Sequence, residues 1–388
     1  GIEDGTAQRI CRRRSSGRSE KNGPRFSCDD GRYQGRTAER PGSRVTAEPK
    51  LASQPFTIGS NRFSSLEVTP VFDAYWQFAA ERQEIYFRRI ERRLGPWTED
   101  PILKQFRFTN AYRAADRVSQ YLIRSVIYEP NLDQNPDEIF FRTILFKIFN
   151  KIETWEVLTE QLGALGWNGF KPAAIDKVLS KAQENGGRIY SAAYIMPPVK
   201  LGPTDGVKHR GHLALLELMM RERVYERIQE TQSLKQVYDI LTAFPSIGPF
   251  LGYQLTIDLN YSSLIHHEES DFVVAGPGAL DGISKCFVNA DGLQPADIVE
   301  FMTDRQELEF ERLGLNFKSL FGRRLQLIDC QNLFCEISKY SRVSHPDILG
   351  RAGRTRIKQG FRDHGDAPQP FFPPKWNLTV PADVSLTR

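Results

Sequence analysis

Two segments of this 388-residue sequence carry polar side chains three or four positions apart, and these are the first candidates for chemistry. At this spacing, residues of an α-helix share one face. Amides and carboxylates can hydrogen-bond the edge of a nucleobase, and guanidinium groups bind phosphates. A solvated surface of two amphipathic helices explains the same pattern equally well. The candidate base-pocket residues are Asn110, Arg113, Arg117, Gln120, Asn332, Glu336, Lys339 and Tyr340.

A tight apolar turn, FPSIGPF (244–250), is the second candidate and lies between two helical patterns. Gly248 is predicted to adopt a backbone conformation that larger side chains resist, and Pro249 suits the first turn of the next helix. The free N–H groups at such a helix start attract a phosphate and would hold a nucleic acid backbone. An ordinary helix–turn–helix corner is the alternative. The predicted DNA-binding residues are Pro245, Ser246, Ile247, Gly248 and Phe250.

The elements that must position these residues are helical, because apolar residues recur at helical spacing and strand-like alternation is scarce. The predicted fold class is therefore all-α. We predict a disordered basic arm over 1–62, a helical domain over 63–343 and an extended, basic and Pro-rich tail over 344–388. The predicted helices cover 71–95, 110–128, 137–158, 173–187, 209–230, 233–244, 250–262, 278–287, 295–314 and 324–343.

Composition narrows the function classes. No run of 18 apolar residues occurs, so no membrane partner is expected. The five cysteines form no C-x-x-C pair, which disfavours a disulfide framework or a zinc site and indicates a reducing cytoplasmic location. Residues 1–50 hold 12 Lys/Arg against 7 Asp/Glu, which is typical of a basic arm. A second basic run, 350–362, could follow phosphates or could be a solvated tail.

The FPSIGPF turn is followed by Asp271, which lies 23 positions after Gly248. Together, the turn and this aspartate resemble the helix-hairpin-helix DNA glycosylase superfamily. The resemblance implies that Asp271 is the catalytic carboxylate, which stabilises a sugar cation and orients water. Asp258 falls too early for this role and Asp281 too late, and a helix-capping role is the alternative for Asp271. Phe250 stands where lyase members carry lysine, so only the glycosidic bond should be cleaved. No cofactor is implied, except that hairpin carbonyls can hold a monovalent cation.

Four further segments are similar to a narrower branch of that superfamily: FRFTNAYRAADRVSQYLI, HRGHL, DFVVAGPGALDGI and LIDCQNLFCEISKYSR. The branch contains the helical domain of 5-hydroxymethyluracil DNA kinases, the glutamyl/putrescinyl thymine pyrophosphorylases, and anti-phage glycosylases of hypermodified bases. No G-x-x-x-x-G-K-[ST] occurs, so no P-loop kinase is predicted in this sequence.

The resemblance implies a monofunctional DNA glycosylase, a hydrolase that flips a modified, phage-type pyrimidine out of DNA and leaves an abasic site in anti-phage defence. DNA is the expected partner, with no required protein partner and no metal. Two alternatives stay open. One is a base-modifying transferase of the thymine-hypermodification type, and the other is a non-catalytic DNA-binding module for modified DNA.

Overall fold

The computed structural model describes residues 56–58, 61–63, 66–193, 196–202, 204–290, 292–363, 365, 367–381 and 384. All of them belong to one unit, Ala47–Arg388. The predicted arm, 1–62, lies outside the described residues apart from the two short strands near its end, so its disorder stays a prediction.

The described part of the chain is mainly helical, which confirms the all-α prediction. Two short antiparallel pairs accompany the helices: β1 (Phe56–Ile58) with β2 (Asn61–Phe63), and β3 (Glu67–Val68) with β4 (Phe287–Asn289). The helices are α1 (Pro70–Ile90), α2 (Pro101–Gln105), α3 (Arg117–Tyr121), α4 (Pro136–Phe149), α5 (Ile152–Leu162), α6 (Pro172–Glu184), α7 (Lys208–Arg221), α8 (Val224–Gln229), α9 (Leu234–Thr242), α10 (Pro249–Asn260), α11 (Pro277–Cys286), α12 (Pro295–Arg312) and α13 (Leu327–Ser344).

Three of the predicted helices are interrupted. The 137–158 pattern divides at Asn150 and the 209–230 pattern at Arg223, because these residues adopt left-handed φ values of 49° and 52°. The 110–128 pattern divides into a 3₁₀ turn (Arg113–Ala115), α3 and a π-helical segment (Leu122–Ile127). The first polar stripe therefore does not lie on one continuous helix face, which corrects the helix prediction for that segment.

The most extensive contact between two of the described helices joins α11 to α13. A Cβ at Gly282 would lie 2.7 Å from the carbonyl carbon of Phe334, and one at Gly278 would lie 3.0 Å from Sγ of Cys335. The glycines of GPGALDG (276–282) thus permit close packing of two helices. A Cβ at Gly276 would also meet the ring of Phe250 at 2.6 Å, so this contact fixes the end of the predicted hairpin.

The FPSIGPF turn joins α9 to α10 as predicted, but its strained residue is a different one. Gly248 has φ −77° and open space around its Cβ position, so the prediction of a glycine-specific conformation there is wrong. Ser246 is the left-handed residue, with φ 66°. Its hydroxyl donates to the carbonyl of Pro198 at 3.0 Å, which compensates part of the strain.

The tail beyond α13 packs back onto the helices. The backbone N–H of Phe371 donates to Oε1 of Gln120 at 2.8 Å. Nζ of Lys375 donates to two carbonyls at the end of α10, those of Ser262 at 3.0 Å and Ile265 at 2.7 Å. Residues 367–376 therefore belong to the folded body, although the proposed domain boundaries stay predictions.

Candidate functional site

A cavity of about 610 Å³ lies between α1, the segment 96–110 that contains α2, α3, the end of α4, α13 and the tail. Residues more than 200 positions apart in sequence meet in its wall. Six of the eight predicted base-pocket residues line it, namely Asn110, Arg113, Arg117, Gln120, Asn332 and Glu336. Their binding of a base stays a prediction.

The other two predicted residues lie behind the wall, around Phe108. Nζ of Lys339 is 4.6 Å from the ring centroid of Phe108 and 2.8 Å from a carboxylate oxygen of Glu336. The hydroxyl of Tyr340 donates to Asp100 at 2.6 Å. Both residues therefore support a cavity wall that they do not line.

The cavity lining is strongly cationic and aromatic. Eight arginines and lysines line it against two carboxylates, and such a lining attracts anions. Aromatic rings add faces on which a base can stack. The cations are Arg82, Arg89, Lys104, Arg107, Arg113, Arg117, Lys147 and Arg362; the carboxylates are Asp116 and Glu336; the rings are Tyr86, Trp97, Phe106, Phe108, Phe250 and Phe361.

The cavity floor contains a buried group of three charges, which we call the floor cluster: Arg113, Lys147 and Asp258. Nη1 of Arg113 lies 2.8 Å from Oδ1 of Asp258, and Nζ of Lys147 lies 3.1 Å from Oδ2. All three are more than nine-tenths buried, and Asp258 is fully buried. One carboxylate thus faces two cations, both of which line the cavity.

Burial lowers the pKa of Lys147 to about 8, and the charge of Asp258 acts in the opposite direction. Oδ1 of Asn150 accepts a hydrogen bond from Nζ of Lys147 at 2.7 Å. Sequence reasoning missed Lys147, because it lies within an almost wholly apolar helix. A single lysine in the run FFRTILFKIFN (140–150) was the available signal.

The two carboxylates of the lining accept hydrogen bonds from the loop that precedes α3. Oδ1 of Asp116 accepts from the backbone N–H of Asn110 at 2.8 Å, and Oε2 of Glu336 accepts from that of Thr109 at 3.0 Å. Burial raises the pKa of Asp116 to about 7. Asp116 can therefore exchange a proton near neutral pH.

Two amides predicted to read a base edge have partners inside the protein. The Asn110 amide donates to the carbonyl of Ala115 at 2.8 Å and accepts from Arg82 at 2.8 Å. The Gln120 amide donates to the carbonyls of Ala114 and Phe371 and accepts from Phe371. These contacts fix the shape of the cavity wall.

Among the predicted DNA-binding residues of the hairpin, only Phe250 is in the cavity lining. Asp271, the predicted catalytic residue, is exposed and lies outside that lining. Partial burial raises the pKa of Asp271, and the backbone N–H of Leu234, the first residue of α9, opposes this shift. This contact is with α9, which precedes Asp271, whereas the capping alternative concerned the helix that follows it, so the role of Asp271 stays a prediction.

Residues 69–350 match the family described as "5-hmdU DNA kinase, helical domain". The chain belongs to this family. A curated relative, the 5-hmdU DNA kinase of Bacillus phage SP10, is 27% identical over 295 residues. The alignment covers 70% of this chain and 45% of the relative, so the chain spans less than half of the relative's length. No solved structure matches the chain.

The prediction of a monofunctional DNA glycosylase is therefore wrong, because the relative is named as a kinase, which transfers phosphoryl groups and does not hydrolyse glycosidic bonds. The site offers a physical reason as well. Glycosidic cleavage builds positive charge on the sugar, whereas the cavity lining carries an excess of cations and Asp271 lies outside it. The prediction of an abasic product is wrong for the same reason. The transferase alternative agrees better with the relative.

Relationship to the helix-hairpin-helix glycosylases and a monovalent cation at the hairpin both stay predictions. Within the described ranges, no group of His, Cys, Asp or Glu side chains is arranged to hold a metal ion. None of the described helices combines the length and apolarity needed to cross a bilayer.

Proposed function

We propose that this chain is the DNA-binding part of a base-modifying transferase, and that its cavity holds a modified pyrimidine. The observation that carries the proposal is the cationic, aromatic cavity within a helical domain of the 5-hmdU DNA kinase family. Its volume falls within the range of about 300–1,000 Å³ that is usual for ligand sites.

The lining suits a base that has left the duplex. Enzymes that act on a base extrude it into a pocket, where aromatic side chains stack on it. Phe108 and Phe250 provide rings from two separate segments of the lining. Arg117 is exposed and lies 3.6 Å from a carboxylate oxygen of Glu153, a surface pair that a flanking phosphate can replace. A base and its backbone phosphates together thus use both properties of the cavity.

The floor cluster suits an anionic substituent on the base. With Lys147 protonated, Arg113 and Lys147 carry two positive charges against the single negative charge of Asp258. A phosphate ester in the cavity would offset the remaining positive charge by charge-assisted hydrogen bonds. The floor cluster therefore favours a 5-hydroxymethyl pyrimidine that gains, carries or loses a phosphoryl group.

The name of the relative describes a phosphoryl transfer to DNA. In such a reaction the hydroxymethyl oxygen attacks phosphorus, a general base takes the hydroxyl proton, and the leaving group of the phosphate donor departs with the displaced electron pair. Asp116, with a pKa of about 7, lines the cavity and is a candidate for that proton. The sequence has no G-x-x-x-x-G-K-[ST] loop, and we assign the DNA and the base, but not the phosphate donor, to this cavity.

A non-catalytic module for modified DNA is the second candidate. It is favoured by the internal hydrogen bonds of the Asn110 and Gln120 amides and of Glu336, which leave mainly rings and cations to face a ligand. Such a site can bind a modified base without reacting with it.

Binding to matched oligonucleotides tests the proposal. Fluorescence anisotropy at one fixed salt concentration would compare DNA containing a single thymine, 5-hydroxymethyluracil or 5-phosphomethyluracil. We expect about 10-fold or tighter binding of the phosphorylated base, since one charge-assisted contact contributes about 1.5–3 kcal/mol. Equal binding of all three would contradict the proposal.

A second measurement separates the two candidates. The protein and DNA containing 5-hydroxymethyluracil are incubated with a nucleoside triphosphate labelled at the γ-phosphate, and label in the DNA is counted. Label that depends on Asp116 and is absent in Asp116→Asn supports the transferase. Selective binding with no label is the result that the module predicts, and it would limit the role of this chain to DNA binding, since no phosphate-donor site is assigned to the cavity.

A further inference from the structure

The basic run of the tail is fixed by its backbone at the end nearest α13. Oδ1 of Asp281 accepts a hydrogen bond from the N–H of Ala352 at 2.6 Å, and Oγ of Ser284 accepts from that of Arg351 at 3.2 Å. Asp281 is 3% exposed. A buried carboxylate thus holds the main chain of a segment that lies at the surface.

The other end of the run is fixed at the cavity. The N–H of Arg107 donates to the carbonyl of Gln359 at 3.0 Å, and the N–H of Phe361 donates to that of Gln105 at 2.9 Å. Phe361 and Arg362 then form part of the cavity lining. The run therefore ends at the cavity.

The run from 351 to 362 contains five arginines and lysines, and all five side chains are exposed. None of these five forms an ion pair with the part of the chain that the structure describes. Three exposed arginines at the end of α7, between α7 and α8, and in α8 differ in this respect, because each lies within 4.0 Å of a glutamate; they are Arg221, Arg223 and Arg227. The five cations of the run are Arg351, Arg354, Arg356, Lys358 and Arg362.

The anchoring has a local sequence requirement. A Cβ at Gly350 would lie 2.7 Å from Cγ of Asp281, so a side chain at this position would displace the backbone that Asp281 holds. Nη1 of Arg342 adds a hydrogen bond to the carbonyl of Arg356 at 3.1 Å. A merely solvated tail needs no such contacts.

We propose that residues 351–362, which we call the basic track, bind the phosphate backbone of the DNA strand beside the base in the cavity. The inference rests on the proposed function, since DNA must reach the cavity. Phosphate contacts fix the position and register of a nucleic acid without reading its sequence. The basic track therefore contributes affinity for modified and unmodified DNA alike.

The salt dependence of binding to unmodified DNA tests the charges. In Arg351→Gln/Arg354→Gln/Arg356→Gln, we expect the slope of log K against log salt to fall by about 2–3, because each phosphate contact contributes about 0.9. The control, Arg221→Gln/Arg223→Gln/Arg227→Gln, removes the same net charge from paired positions and should change the slope by less than about 1. Equal changes in both variants would overturn the proposal.

Gly350→Ala tests the anchoring, because it keeps every charge. We expect DNA affinity to fall by about 3-fold or more, since a loosened segment must be ordered again on binding. Circular dichroism and thermal unfolding establish that the variant is folded, and Ser284→Ala is the milder replacement if it is not. Unchanged affinity in both folded variants would overturn the fixed track and leave a solvated tail.

These results are separable from failure of the proposed function. Equal binding of modified and unmodified DNA contradicts the proposed function, whereas the salt slope of the basic track is measured on unmodified DNA alone.

Discussion

Among the residues that the structure describes, two buried clusters combine a lysine with an aspartate, and one of them lies in the wall of the cavity. The floor cluster consists of Arg113, Lys147 and Asp258. The second, which we call the support cluster, consists of Asp281, Lys285, Ser338 and Ser341 and lies between α11 and α13. Both lysines and both aspartates are more than nine-tenths buried. In both clusters burial lowers the pKa of the lysine.

The clusters differ in what their lysines face. In the support cluster Lys285 accompanies Asp281, and the charge of Arg342 acts on Lys285 as well. Lys285 donates to the carbonyl of Ser338 at 3.0 Å and to Oγ of Ser341 at 3.2 Å and so joins α11 to α13, while Asp281 holds the basic track. In the floor cluster two cations share one carboxylate and line a cavity. Burial of a lysine is therefore a poor sign of function, and a charge excess at a cavity is a better one.

The largest expected effect is on stability. Asp258→Asn leaves two buried cations without their common anion, and breaking a buried pair costs about 3–5 kcal/mol. We expect the free energy of unfolding, measured with urea, to fall by that amount. Asp281→Asn should cost about 1–3 kcal/mol, because serine and carbonyl oxygens still accept from Lys285. A larger loss for Asp281→Asn would reverse the comparison.

Next in size is the effect of Lys147→Met on ligand binding. The variant keeps the Arg113–Asp258 pair and removes one cation from the cavity, so affinity for DNA with 5-phosphomethyluracil should fall by about 10- to 100-fold. Affinity for unmodified DNA should stay within about 3-fold. Lys285→Met is the matched control, which should destabilise the fold and leave the ratio of the two affinities unchanged. The same ratio in both variants would show that the floor cluster has no preference for the phosphate.

Binding of the phosphorylated base should also depend on pH. Lys147, with a pKa of about 8, loses its charge as the pH rises through that value, and Asp116 gains a negative charge as the pH rises through about 7. Both changes weaken binding at higher pH. Below about pH 6 the phosphate itself loses its second charge. We therefore expect the tightest binding between about pH 6 and 7, and a loss of at most about 10-fold per pH unit above 8.

Two variants show which residue causes each decline in the pH profile of binding. Lys147→Met should remove the decline above pH 8, and Asp116→Asn should remove the decline near pH 7. Affinities would be measured by anisotropy from pH 5.5 to 9.5 at constant ionic strength. A profile that neither variant alters would exclude both groups as its origin.

Much of the helical framework could be predicted from apolar periodicity, because one buried face is enough to define a helix. The predicted 233–244, 250–262 and 295–314 helices lie within a few residues of α9, α10 and α12. The breaks could not be predicted in this way, since the apolar pattern continues across Asn150 and Arg223. The tolerance of asparagine for left-handed backbone was the only local sign at Asn150.

The site was predictable only in part. The helical spacing of polar residues predicted six residues of the cavity lining, because this spacing can be read directly from the sequence. Lys147 was hidden in an apolar helix. Lys104 lies in the short helix α2, and Arg107 lies in the loop that follows it, and neither segment is long enough to show a periodicity. The contribution of the tail depends on backbone hydrogen bonds such as that from Arg107 to Gln359, which no side-chain pattern can reveal.

The smallest expected effect concerns Asn150, which ends α4 and accepts the hydrogen bond from Lys147. Glycine tolerates φ 49° as well as asparagine does, so Asn150→Gly removes the acceptor with little backbone strain. Loss of an acceptor disfavours the charged lysine, and the pKa of Lys147 should fall by less than about one unit. The decline in phosphate binding should then begin at lower pH, while the free energy of unfolding changes by less than about 1.5 kcal/mol.

Asn150→Ala is the control, because it removes the same acceptor and adds left-handed strain of about 1–2 kcal/mol. Both variants should shift the binding profile equally, and only the alanine variant should show the added loss of stability. Ser341→Ala removes an acceptor of Lys285 in the support cluster and should leave the profile where it was. A shift in Ser341→Ala as large as that in Asn150→Gly would mean that the profile follows general stability. In that case the charge excess at the cavity would no longer distinguish the two clusters.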